Sequence, residues 1–164
     1  HGHTFWDTEI FQLPYFIFNM PEVARSLEEY RYLSLPGAHA KAKHNGYEGA
    51  QFPWESAWLD DGEVTPEYMG TDIVTGQLIK VWSGFIEIHI TADVAYGVWQ
   101  YYMCTGDRNF MDKYGYELML DCAKFWSSRL EPGEDGKLHI NDVVGPDEYK
   151  EHVDDNAFTN YLVW

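Results

Sequence analysis

Positive charge is scarce in this sequence. Eleven Lys and Arg stand against 27 Asp and Glu, a formal net charge of −16, and no Lys/Arg-rich run interrupts the acidic field. Such a field repels nucleic acid and anionic membrane surfaces, so neither is an expected partner. A neutral polyol such as a sugar meets no such barrier, whereas a phosphate needs a locally positive pocket. Cysteine is scarce too, with only Cys104 and Cys122. Both sit in apolar helical patterns outside any CxxC pair. They read as buried free thiols in a reducing cytoplasm, with one disulfide as the alternative.

Signatures of targeting and of bound metal are missing as well. No run approaches the roughly 18 apolar residues of a membrane helix, and no secretory leader is visible. The chain opens on His1-Gly2-His3-Thr4 and stops at Trp164 inside an apolar pattern. Both ends read as cuts, so a missing leader says little. The seven histidines form no HExxH, facial triad or Cys/His spacing, His1 and His3 being two apart and the rest scattered. No metal site and no metal cofactor are expected. There is no phosphate-cradling GxxxxGKS/T loop and no GxSxG elbow.

What the sequence does have is aromatic side chains, 17% of residues with seven Trp and twelve Tyr. Such rings fill a core, and they also stack on the apolar faces of sugars. Helical periodicity dominates. Residues 8–19 are apolar on nearly all sides, which predicts a fully buried helix with Pro14 as a kink or early turn. Pro21 suits the first position of a second helix. Val23, Leu27 and Tyr30 lie on its inner face, Glu22, Arg25, Glu28 and Glu29 on its solvated face, and Pro36-Gly37 at its end. A shorter helix is expected over 38–45. Residues 46–90 are Gly-rich and aperiodic, a long loop region with short strands near 77–82 and 85–90. Helices return over 92–105 and 108–130, an extended piece or strand covers 137–144, and a last helix starts near Asp154 or Asp155. Helix pairs joined by alternating short turns and long loops are what an all-α barrel of helical hairpins requires, its site built from the long loops.

Two kinds of segment can carry chemistry there. Glycoside cleavage needs a carboxylic acid to protonate the leaving oxygen, and that acid must stay protonated in a desolvated or acid-crowded setting. In Val144-Gly145-Pro146-Asp147-Glu148-Tyr149, Asp147 stands beside Glu148 and can raise its pKa by repulsion. The same residues would equally suit a helix N-terminus. In Phe5-Trp6-Asp7-Thr8-Glu9 a tryptophan adjoins a short acid before an apolar helix. Asp7 or Thr8 would serve as a helix cap, or Trp6 would stack on a sugar while Asp7 accepts from two hydroxyls. Phe52-Pro53-Trp54-Glu55-Ser56 repeats that pairing in a loop.

These segments, with His89-Ile90-Thr91-Ala92-Asp93-Val94-Ala95-Tyr96, Asn141-Asp142-Val143 and Asp155-Asn156-Ala157-Phe158-Thr159-Asn160, resemble glycoside hydrolase family sixty-five in the family's order along the whole chain. That family holds inverting disaccharide phosphorylases and a minority of trehalose-type hydrolases on an (α/α)6 barrel. The resemblance implies that Glu148 is the general acid, that Trp6 and Asp7 hold the non-reducing glucose, and that Trp54 and Glu55 line the site near the scissile bond. It implies a disaccharide and inorganic phosphate as substrates, no further cofactor, and β-glucose 1-phosphate as product. Glu63-Val64-Thr65-Pro66 and Gly76–Gly84 are similar to the kojibiose phosphorylases rather than the maltose phosphorylases. That loop region would contact the acceptor sugar and set linkage preference. Residues 1–164 read as roughly the first half of the barrel, cut at both ends and lacking the phosphate loops, inactive alone, with the whole protein a cytoplasmic homodimer. A hydrolase of the same fold, and a non-catalytic sugar-binding segment, are the alternatives.

Overall fold

Helices carry the chain in a computed structural model that describes residues 2–60 and 62–164. His1, considered above with His3, lies outside the described residues. Thr8–Gln12 winds as a π-helical turn that runs straight into α1 (Leu13–Asn19). Pro14, which has no N–H to donate, falls where the π-helical turn gives way to α1. Pro21 opens α2 (Pro21–Leu33). Pro36-Gly37 does not end that helix. Ser34 alone separates it from α3 (Leu35–His44), donating its hydroxyl to the Tyr30 carbonyl at 2.6 Å. Pro36 then sits early in α3, a position that tolerates proline as well as a terminus does.

The long connection that follows is loop with one hairpin, β1 (Tyr68–Thr71) paired antiparallel with β2 (Leu78–Lys80). Asp72 Oδ1 closes the turn by accepting from Val74 N and Thr75 N at 2.8 and 2.7 Å. The strand expected over 85–90 is absent. The chain instead makes α4 (Ser83–Ile86) and enters α5 (Ile90–Thr105), which ends at Gly106 in the left-handed conformation. Asp107 caps α6 (Arg108–Phe110), and a π-helical turn over Met111–Gly115 joins it to α7 (Tyr116–Arg129), so the expected 108–130 helix is one run with a bulge. A minimal hairpin of β3 (Glu131–Pro132) and β4 (Leu138–His139) follows. The last helix, α8 (Ala157–Val163), starts after Asn156, whose Oδ1 accepts from Phe158 N and Thr159 N at 3.1 Å each.

α5 is the central element, packed against α1, α2, α7 and α8. Val94 and Val98 of α5 meet Leu13, Phe52 and Leu118 in one apolar cluster, and Phe125, Trp126, Ile88, Ile140 and Val143 form a second. The long loop is tied down through backbone groups: Ala50 N donates to Asp121 O at 3.0 Å, Gln51 N to Ala38 O at 3.1 Å, and Phe52 N to Thr91 Oγ1 at 2.9 Å. No helix among the described residues is long and apolar enough to cross a membrane.

Three expectations fail at the level of burial. The first helix is not enclosed, since Phe11 is 63% and Phe18 76% exposed; α2 and α5 cover only one of its sides. Cys122 is buried but Cys104 is exposed, and both are free. Glu28, assigned to a solvated face, is fully buried, because α2 is covered on that side by α5. A Cβ at Gly97 of α5 would lie 2.8 Å from Glu28 Oε1 and 2.9 Å from Glu9 Cγ, so only glycine lets α5 approach both acids. Burial, and then the neighbouring Glu9, push the Glu28 carboxyl well above the usual carboxylate range, with Arg31 pulling the other way.

Candidate active site

Backbone pairing brings the two tryptophan–acid segments together. Thr4 N donates to Ser56 O at 2.8 Å and Ser56 N returns to Thr4 O at 3.0 Å. The rings of Phe5 and Trp54 then meet edge to face, with centroids 5.1 Å apart, and His3 Nδ1 lies 2.5 Å from Glu55 Oε1. Below this junction the buried Arg31 grips Glu9 with Nε and Nη2, at 2.5 and 2.8 Å, and donates from Nη2 to the Phe5 carbonyl at 3.0 Å. A rigid ion pair therefore fixes the backbone one residue before Trp6.

Trp6 is half-buried and Asp7 is exposed. The Asp7 side chain makes no capping hydrogen bond to the helix it precedes, so capping does not account for it, and its carboxylate stays available to a ligand. The Trp54–Glu55 pair is held by a residue whose role the sequence reading missed. Glu63 accepts from Trp54 N at 2.9 Å, and from Glu55 N and the Thr65 hydroxyl at 3.0 and 2.7 Å. It also pairs with the largely buried Lys41. Burial is the main cause holding the Lys41 ammonium below its ordinary value, against the pull of Glu63. Nothing local in the sequence announces this knot, because its partners are mostly backbone groups.

Glu148 stands on the loop between β4 and α8. Residues 144–156 contain no helix, so the dipole explanation for Asp147-Glu148 falls away. The loop is pinned where Val144 N donates to Ile86 O at 3.0 Å and where Val143 and Val153 exchange backbone hydrogen bonds. Glu148 is exposed as a residue, yet its carboxyl is held above the ordinary glutamate range. Partial burial is the first cause, then the charges of Glu87 and Asp7, with His89 opposing. Asp147 is not the source of the repulsion. Its backbone carbonyl and side chain instead accept from Lys150 N and Tyr149 N, at 3.0 and 3.2 Å. Glu148 and Asp7 are thus near enough for their charges to interact, and the Thr4–Ser56 bridge joins the Trp6–Asp7 segment to Trp54 and Glu55. Among the described residues no group of three His, Cys, Asp or Glu side chains is arranged to hold a metal ion.

If Glu63 is what shapes the Trp54–Glu55 wall, Glu63→Ala in the full-length protein is expected to raise KM for the disaccharide that the family resemblance implies about tenfold, near 1.4 kcal/mol of binding. The fall in kcat should be smaller. Initial rates against substrate concentration check this, and an unchanged KM would remove Glu63 from the site.

Known proteins resemble this chain over nearly its whole length. The chain is 57% identical to a kojibiose phosphorylase of Halothermothrix orenii over 164 residues, 99% of this chain and 21% of that protein. It is 43% identical to a kojibiose hydrolase of Flavobacterium johnsoniae, over 98% of this chain and 22% of that protein. A solved structure from the human microbiome, assigned by name to kojibiose phosphorylase, superposes with a TM-score of 0.83 at 29% identity, covering 98% of this chain and 22% of its own. The chain thus spans about a fifth of the length of these relatives. The model of the glycosyl hydrolase family 65 central catalytic domain matches residues 1–164, and the chain belongs to that family.

Proposed function

We propose that this chain supplies the first half of an (α/α)6 catalytic barrel in a protein that phosphorolyses an α-linked glucose disaccharide of the kojibiose type with inversion. Inorganic phosphate is the co-substrate, no other cofactor takes part, and the products are β-glucose 1-phosphate and the acceptor sugar. Glu148 protonates the bridging oxygen while phosphate attacks the anomeric carbon from the other face, through an oxocarbenium-like transition state. Trp6 and Asp7 hold the glucose, and Trp54 and Glu55 line the bond and acceptor side. The observation that carries this reading is the Glu148 carboxyl, kept above its usual range beside Asp7 and Glu87. The kojibiose phosphorylase named above, at 57% identity, supports the substrate class. Two free cysteines suit a cytoplasmic enzyme, here proposed as a homodimer.

A hydrolase is the second reading, favoured by the relative at 43% identity that carries a hydrolase name. It would need a further carboxylate to activate water, supplied by sequence beyond these 164 residues. Kojibiose cleavage by the full-length protein, with and without inorganic phosphate, separates the two. Cleavage only with phosphate, yielding glucose 1-phosphate, is expected; equal rates of glucose release without it would establish the hydrolase. The purified 164-residue chain is expected to release no glucose 1-phosphate at all, and measurable turnover by it would overturn the half-barrel assignment.

A further inference from the structure

Beneath Trp6 lies a row of buried ionisable side chains that the proposed reaction leaves without a role. Glu87, His89 and Asp93 are at most 1% exposed. His89 Nδ1 is 2.6 Å from Asp93 Oδ2, and its Nε2 is 3.2 Å from Glu87 Oε1. Both ring nitrogens therefore face a carboxylate oxygen, and only the doubly protonated ring can donate to both. The second oxygen of Glu87 is buried with no hydrogen-bond partner among the described residues. Burying a carboxylate on these terms is costly, so it calls for a function beyond packing.

The row touches both halves of the site. Trp6 stands edge-on to the His89 ring, with centroids 5.0 Å apart at 90°, and Phe158 packs on His89 at 5.1 Å and on Trp6 at 5.9 Å. On the other side, the hydrogen bond from Val144 N to Ile86 O seats the Glu148 loop beside Glu87. The loop also leans on Asn156, since a Cβ at Gly145 would lie 2.3 Å from Asn156 Nδ2. Asn156 caps the helix that carries Phe158. The sugar platform and the proton-donor loop are thus fastened to one buried imidazole and its two carboxylates.

We infer that Glu87, clamped by His89 and Asp93, is a positioning residue for proton transfer, joining the Trp6 platform to the Glu148 loop and setting the charge that Glu148 faces. This rests on Glu148 being the proton donor. One cation between two carboxylates leaves a net negative charge in the row. The groups facing Glu148 are Glu87 and Asp7, which disfavour its ionisation, and His89, which favours it. Asp93 in turn faces Glu9 and Arg31 as well as His89. The clamp itself holds His89 as a cation, its pKa pushed up to about 9 by the two carboxylates despite its burial.

The test is the pH dependence of kcat in full-length Glu87→Gln. Gln keeps the shape and an oxygen for His89 to bond but removes the charge. Glu148 must be protonated to act, so activity falls as pH rises through its pKa. Without the Glu87 charge that basic limb is expected to move down by about one pH unit, lowering kcat roughly tenfold above it. KM should stay within about twofold, and Glu87→Asp should restore the limb. A loss of rate that is uniform in pH, with the limb unmoved, would reduce the row to packing and overturn the inference. Should Glu87→Gln fail to fold, the wild-type protein labelled with 15N-histidine decides. A doubly protonated His89 ring persisting at pH 8 supports the clamp, and a neutral ring there overturns it. Glu148→Gln is the control. If it keeps full activity the donor assignment itself fails, whereas an inactive Glu148→Gln beside an unmoved limb in Glu87→Gln sinks only the role given to Glu87.

Discussion

Glu148→Gln in the full-length protein is expected to lower kcat by roughly 10²–10⁴-fold, the range a positioned general acid contributes, with KM for the disaccharide within a few-fold. Gln has nearly the shape of Glu, so the loop pinned by Val144 N to Ile86 O should hold, and what disappears is the transferable proton. The sugar alkoxide leaving group is strongly basic and cannot depart unprotonated at neutral pH. A substrate whose leaving group is a weak base, such as a nitrophenyl glucoside, needs no proton, and the variant should lose far less rate on it. Under the proposed role the wild-type protein is expected to show a matching pH signature. Because burial, Glu87 and Asp7 raise the Glu148 pKa, its protonated form survives to higher pH than an ordinary glutamate would allow, and activity is lost as pH climbs through that raised value. Release of glucose 1-phosphate across pH measures all three effects. A variant that turns over disaccharide at the native rate would discard the assignment.

The helices were legible because their cause is local. Proline at a first turn, a Gly106 stop and apolar residues three and four apart mark α2, α5 and α7 without any knowledge of neighbours. Where the reading went astray, the deciding contact lay far off in sequence. Glu28 has the flanks of a surface acid and becomes buried only because Gly97 brings α5 within reach. Phe11 and Phe18 look like core and are exposed, since hydrophobicity says what a side chain prefers and not which element covers it. The site shows the same division. Trp6-Asp7, Trp54-Glu55 and Glu148 are nominated from local sequence alone, but the Thr4–Ser56 bridge that unites the first two pairs spans about fifty positions. The Glu63 knot works through backbone donors that no side-chain pattern reveals. The strand expected over 85–90 does not form, yet two polar side chains two positions apart in that stretch, Glu87 and His89, lie on one side and meet.

The largest effect on stability is expected from Arg31→Met. Arg31 is 1% exposed and Glu9 is fully buried, and the pair is joined by two hydrogen bonds with a third from Arg31 to the Phe5 carbonyl. Removing one member of a buried pair strands the other, at a cost of about 3–5 kcal/mol. Replacing both is a different experiment. Glu9→Leu combined with Arg31→Met exchanges the pair for apolar contacts of similar volume, and such exchanges are often near neutral, so the double variant should unfold at a higher temperature than the single one. Glu28 adds a dependence on pH. Arg31 is the charge that draws the Glu28 carboxyl down against burial and Glu9, so its loss raises that pKa further. A carboxyl whose folded pKa exceeds its unfolded value costs stability as pH rises past the unfolded value, because the unfolded chain then releases a proton that the folded chain must keep. Wild type and variant bear that cost alike until pH passes the wild-type folded value of Glu28, and above it the deficit of Arg31→Met is expected to grow. Thermal unfolding of the full-length protein across the pH range measures it, and a single variant as stable as wild type throughout would show that the ion pair does not hold the Phe5–Trp6 turn in place.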